Sequence, residues 1–230
     1  MNICYFLTRN LYPYLLPTVM SLLDHNKPRK IYIFCEDDVF PYELPDVCEV
    51  INVSGQTIYR ADGPNFRSKF SYICLLRVCL ASLIPDADRV IQLDLDTIIC
   101  DDLTPIWEMD MGDNWIAMAD ERYGSYRPYG DRYYNAGVAV LNLGKIREDK
   151  VEPQLIHLLS TTKLPYIDQD AWNIIGAGHI ADLPQRYNEF TGTEESTRPA
   201  IVHYAGVRSW WNYGIHRGNY YEKYRKYERR

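Results

Sequence analysis

Short apolar runs and amphipathic stretches alternate through the first hundred residues. NICYFLT (2–8), KIYIFCE (30–36) and CEVINVS (48–54) are β-forming runs. Between the first two, residues 12–24 place Leu15, Leu16, Val19, Leu22 and Leu23 on one helical side, and Asn26, Lys27 and Pro28 stop that helix. The spacing over 67–84 predicts a long amphipathic helix ended by Pro85, followed by a strand, RVIQLD, at 89–94. This β-α-β-β-α-β order predicts an α/β fold with a mostly parallel central sheet flanked by helices. Ligands of such sheets gather at the carboxyl ends of the strands.

The second half is less regular. NWIAMAD (114–120) and NAGVAVLNL (135–143) read as strands, separated by a loop at 121–132 rich in Tyr, Arg, Gly and Pro. Residues 145–160 read as a helix, 168–176 as the start of another, and AIVHYAG (200–206) as a last short strand. There is no repeat and no linker, so residues 1–216 are expected to form a single domain. The tail at 217–230 is basic and aromatic. Tyr220, Tyr224 and Tyr227 share a helical face there, either docking the helix or resting on an anionic membrane surface.

The pattern ends its fourth apolar run on two carboxylates. Asp94 and Asp96 are spaced i and i+2, which in a strand puts them on one face. Adjacent carboxylates repel unless a cation lies between them. A hard divalent ion with oxygen ligands, open to a phosphate-bearing substrate, is the usual answer. Three further clusters carry polar chemistry: Asn135-Ala136-Gly137, Asp168-Gln169-Asp170 and His203-Tyr204-Ala205-Gly206. His203 added to the aspartate pair would complete a protein ligand set for Mn²⁺.

Composition narrows the classes. A net charge of −6 argues against a nucleic-acid partner. No apolar stretch reaches membrane-spanning length, and the start MNICYFLT lacks the form of a signal peptide, so a cytoplasmic location is expected. The six cysteines form no C-x-x-C pair and read as buried free thiols. The 20 tyrosines suit carbohydrate or nucleotide surfaces as well as ordinary packing.

The four clusters occur within LLRVCLASLIPDADRVIQLDLDTII, DDLTPIWEMDMGDNW, YYNAGVAVLNL, DQDAWN, LPQRYN and IVHYAG. Together these segments resemble glycosyltransferase family 8, in particular its bacterial lipooligosaccharide galactosyltransferases that use UDP-galactose. The resemblance implies a GT-A fold and retaining transfer of galactose or glucose from a UDP-sugar to a glycan or lipid-linked oligosaccharide. It implies Mn²⁺, with Mg²⁺ as the alternative, held by Asp94, Asp96 and His203. Gln169 and Asp168 would stand at the reacting face. Thr8 and Asn10 would border the uridine. Arg77, Asp94, Leu95, Asn135, Ala136, Gly206 and Arg208 would line the donor, with Asp120 or Glu121 on sugar hydroxyls. The tail would make any peripheral contact with the inner membrane face.

Two positions depart from the family pattern. Thr8 stands where an Asp usually meets the base. Arg208 follows Gly206 where a Lys usually grips the diphosphate, with His216 or Arg217 as substitutes. Two other classes compete. Asp94-Leu95-Asp96-Thr97 also fits the opening of haloacid-dehalogenase phosphatases, but that strand should open the fold and GDNWIAM (112–118) lacks the second acidic residue. A non-catalytic sugar-nucleotide binder is the other, and it would have no need of every catalytic position.

Overall fold

The computed structural model describes residues 1–122, 127–190, 198–206 and 218–229. Its strands are β1 (Asn2–Phe6), β2 (Lys30–Cys35), β3 (Cys48–Asn52), β4 (Arg89–Leu93), β5 (Thr97–Ile99), β6 (Ile116–Asp120), β7 (Tyr134–Asn142), β8 (Ile180–Asp182), β9 (Glu189–Phe190) and β10 (Ile201–His203). The helices are α1 (Leu15–His25), α2 (Leu80–Leu83), α3 (Thr104–Trp107), α4 (Leu143–Glu148), α5 (Val151–Thr161), α6 (Ile167–Ile175) and α7 (Gly218–Tyr224). Among the described residues the main sheet runs β3-β2-β1-β4-β7-β6-β8, and a small sheet runs β5-β10-β9. β7 pairs antiparallel with both neighbours, and the other pairings of the main sheet are parallel.

The central strands β1, β4, β6 and β7 are buried on both faces, which explains their continuous apolar sequence. Ile3, Tyr5 and Ile33 face a core with Leu15, Val19 and Leu22 of α1. Cys4 and Phe34 face the opposite core, with Leu76, Leu155 and Trp172. The polar side of α1 holds the small sheet. Ser21 Oγ accepts from the Ile99 N–H at 2.9 Å, and Asn26 Oδ1 from that of Leu103 at 2.8 Å.

Three local expectations change. The helix expected over 67–84 is a 3₁₀ stretch, Tyr72–Cys79, leading into α2. Its β-branched, aromatic and cysteine content is poor for an α-helix, and Ser71 caps it by accepting from Ile73 N–H at 3.3 Å. Segment 145–160 is two helices, broken where Lys150 turns left-handed (φ 54°). In the tail, Tyr221 and Tyr224 are the buried tyrosines, packed with Tyr204, Val202 and Ile98, while Tyr220 and Tyr227 are only partly covered. Tyr224 also donates to Asp24 Oδ2 at 3.0 Å, tying the tail to α1. Among the described residues no helix is long and apolar enough to cross a membrane.

Candidate functional site

Asp94 and Asp96 do not lie on one strand face. They occupy a turn between β4 and β5, which belong to different sheets. The turn is anchored inward by the buried Leu95 side chain and by Thr97 Oγ1, which donates to Asp94 O at 2.7 Å. The chain then enters β5, whose Thr97 pairs with His203 of β10. That pairing delivers the imidazole. His203 Nε2 lies 3.3 Å from Asp96 Oδ1 and 3.7 Å from Asp94 Oδ2. One ligand atom from each of the three residues lies within 4.8 Å of the others.

β7 closes the site from the other side. Its pairing with β6 skips at the critical place: Met118 faces Ala139, but Ala119 faces Asn135. A bulge of this kind re-aims the bulged strand. Ala136 and Gly137 fall in it, and Gly137 O accepts from Asp94 N–H at 2.7 Å. A Cβ on Gly137 would sit 2.2 Å from His203 Cε1 and 2.8 Å from Asp94 Oδ2. The glycine therefore keeps clear the space between the imidazole and the carboxylate. Two hard carboxylates, one imidazole and that cleared space fit a divalent cation, with positions left for substrate oxygens.

Arg77 links this cluster to the next. Its Nη1 is 2.9 Å from Asp94 Oδ1, its Nε 3.2 Å from Asp168 Oδ2, and its Nη2 donates to Ala136 O at 2.6 Å. Burial opposes the Arg77 charge, but Asp168 and Asp94 outweigh it and hold the guanidinium protonated. Burial pushes the Asp168 carboxyl up to about 6 against the pull of Arg77. It raises Asp94 too, again opposed by Arg77. Burial also works against a charged His203, yet Asp96 and Asp94 hold its pKa above the ordinary value.

Asp168 and Gln169 lie in the first turn of α6, which opens on Ile167, a β-branched residue at φ 28°. Such strain persists where surrounding packing over-determines it, and it clusters at functional sites. Gln169 Oε1 accepts from Ala136 N–H at 3.0 Å, while Nε2 reaches Tyr133 Oη at 3.1 Å and Glu121 Oε2 at 3.4 Å. Glu121 is buried and also accepts from Asn135 Nδ2 at 2.7 Å, whereas Asp120 turns to Arg127 at 3.5 Å. Of this adjacent pair, Glu121 is the one on the floor of the site.

At the ends of β1 and β2, Thr8 Oγ1 donates to Asn10 Oδ1 at 2.5 Å. Beside them, Glu36 accepts from Arg9 N–H at 2.9 Å and from the Tyr72 hydroxyl at 3.2 Å. Gly206 adopts φ 72°, a conformation favouring glycine, three residues past His203. Arg208, His216 and Arg217 lie outside the described residues. Asn188 is fully buried behind His203. No periodicity flags such a residue, because a distant strand pairing brings it there.

A family model described as Glycosyl transferase family 8 matches residues 2–214. A probable glycosyl transferase, Gly, of Streptococcus gordonii is 26% identical over 218 residues, covering 85% of this chain and 30% of that protein. A putative glycosyltransferase of Haemophilus influenzae is 25% identical over 246 residues, covering 92% of this chain and 73% of that one. The chain thus spans less than a third of the first relative. Among solved structures, the galactosyltransferase LgtC in complex with donor and acceptor sugar analogs superposes with a TM-score of 0.73 at 22% identity, covering 99% of this chain and 95% of that one. GlyE of Streptococcus pneumoniae TIGR4 also gives 0.73, at 21% identity, with 99% and 59% covered. The shared fold is GT-A, as the sequence resemblance implied.

Proposed function

The chain belongs to glycosyl transferase family 8, and from that premise we propose that it moves a hexose, galactose or glucose, from a UDP-sugar to a glycan or lipid-linked oligosaccharide acceptor, with retention and an α-linkage. The observation that carries this reading is the convergence of Asp94, Asp96 and His203 around the space Gly137 leaves open, with Arg77 joining it to Asp168. Mn²⁺, or Mg²⁺ in its place, would be held by Asp94, Asp96 and His203. When bound it supplies positive charge for the departing diphosphate.

The chain's own groups supply the rest. The anomeric carbon becomes cationic as UDP leaves, and a nearby carboxylate stabilises it. Asp168 and Gln169 are the groups to which this reading assigns that role. The ion pair with Arg77 damps the nucleophilicity of Asp168, which favours an electrostatic role over a covalent glycosyl bond. Asn135, Ala136 and Glu121 border the sugar, Leu95 and Gly206 the diphosphate, and Thr8 and Asn10 the base. Arg208 takes the diphosphate grip. Buried Glu121, in place of the half-open Asp120, reads sugar hydroxyls.

Mn²⁺-dependent hydrolysis of a panel of UDP-sugars, without acceptor, tests the reading. Turnover of UDP-galactose or UDP-glucose that is abolished in Asp94→Asn and Asp96→Asn supports it. Activity surviving in both variants, or tight UDP binding with no turnover of any donor, overturns it. The tail's exposed Lys223, Lys226 and Arg229 suit a peripheral contact at the inner face of the membrane. Reversing all three to Glu should reduce sedimentation with anionic vesicles, and unchanged sedimentation refutes that contact.

A further inference from the structure

The cation site is backed by a line of side-chain amides whose directions the chemistry fixes. The Gly137 N–H can only donate, and it reaches Asn135 Oδ1 at 2.9 Å. This orients Asn135 with Nδ2 toward Glu121 Oε2, 2.7 Å away. Asn135 Oδ1 has a second lone pair, and it accepts from Asn188 Nδ2 at 2.9 Å. The atom Asn188 then presents to His203 is its carbonyl Oδ1, 2.7 Å from Nδ1. A carbonyl cannot donate, so Nδ1 carries the hydrogen, and the network assigns the tautomer. In the neutral imidazole that a cation requires, the lone pair is then left on Nε2, the atom facing Asp96 and Asp94.

Glu121, Asn135, Asn188 and His203 are all less than a tenth exposed, so solvent offers Nδ1 no substitute partner. Phe190 packs edge-on to the imidazole at 5.6 Å. An apolar edge restricts ring tilt but is indifferent to which nitrogen faces the carboxylates. The hydrogen bond from Nδ1 makes that choice.

We infer that Asn188, itself oriented by Asn135 and the Gly137 N–H, is a positioning residue that fixes the tautomer and orientation of His203 for cation binding. The inference rests on reading Asp94, Asp96 and His203 as a divalent-cation site. Asn188 acts through the imidazole. Outer partners of ligating histidines act this way, by setting which nitrogen is free.

The test is Mn²⁺ titration of the full chain without nucleotide, followed by the electron paramagnetic resonance of free Mn²⁺. Asn188→Leu leaves Nδ1–H buried without an acceptor and should weaken Mn²⁺ binding about 10–100-fold. Asn188→Asp keeps an acceptor for Nδ1–H and should bind at least about fivefold tighter than Asn188→Leu. Pulsed resonance should show one imidazole nitrogen coupled to bound Mn²⁺ in wild type, retained in Asn188→Asp and lost in Asn188→Leu. Leucine binding as tightly as wild type overturns the inference. So do leucine and aspartate variants that are equally weak and equally destabilised, which would mark a packing role only. A wild type that binds no Mn²⁺ overturns the cation reading itself and the inference with it.

Discussion

Arg77 Nε lies 3.2 Å from Asp168 Oδ2 while Nη1 of the same guanidinium lies 2.9 Å from Asp94. One buried cation is therefore shared by a carboxylate of the Asp94-Asp96-His203 cluster and one from the first turn of α6. Both would otherwise be poorly solvated, and Arg is suited to the task because its planar fork serves several acceptors at once.

Removing that cation should be costly. Arg77→Met leaves the two carboxylates uncompensated, with an expected loss of about 3–5 kcal/mol in stability. Adding Asp168→Asn should recover part of the loss, because the pair is coupled. Urea denaturation of the two single variants and the double variant measures this, and simple additivity would contradict the coupling.

Gly137→Ala probes the cleared space. The backbone there needs no glycine-specific φ, so the new methyl group acts by its position against His203 and Asp94. Mn²⁺ affinity should fall by on the order of 100-fold, as expected when a ligand is pushed out of place. Far-ultraviolet circular dichroism should be retained. Unchanged affinity by titration would mean that the cation does not sit between these residues.

The titrations predict how pH and metal combine. Asp168 has a folded-state pKa of about 6, above the usual carboxylate range, so the folded form binds more protons and stability falls as pH rises from about 4 through 6. His203, raised by the aspartates, contributes stability below its unfolded pKa of about 6.5 that is lost as pH climbs through its folded value. The metal-free protein should thus melt lower at pH 8 than at pH 6. A bound cation requires deprotonated ligands, so Mn²⁺ should raise Tm more at pH 8 than at pH 5.5. At a hundredfold excess over Kd the gain is about 2.7 kcal/mol, roughly 5–10 °C for a chain of this size. A larger Mn²⁺ effect at acid pH would contradict the ligand assignment.

Gln169 separates binding from chemistry. Its amide is held by Ala136, Tyr133 and Glu121 beside Asp168. Gln169→Ala should lower kcat by about 10²–10³ if the amide acts on charge developing in the transition state, with donor KM nearly unchanged. A rise in KM at constant kcat would assign Gln169 to ground-state binding alone.

Much of this site was legible in local chemistry. The apolar runs announced β1, β2 and β4, because strands buried on both faces need continuous apolar sequence, and β3 by its β-branched content at the sheet edge. Asp94 and Asp96 were visible because paired carboxylates call for a cation. The helix over 67–84 misled, since apolar spacing alone does not distinguish 3₁₀ from α winding when propensity is low. The same-face argument for the aspartates also failed: a turn, not a pleat, brings them together.

The alternating α/β order, the polar clusters and the family they resemble could be read along the chain, because these depend on residue type and near-neighbour spacing. Tertiary structure alone decided which groups meet. The pairing of Thr97 with His203 brought the imidazole to Asp94 and Asp96, the skip between β6 and β7 brought Gly137 beside them, and the burial of Asn188 behind the imidazole fixed the direction of its hydrogen bond. Contacts between residues far apart in the chain depend on strand register and packing, which no short window of sequence contains.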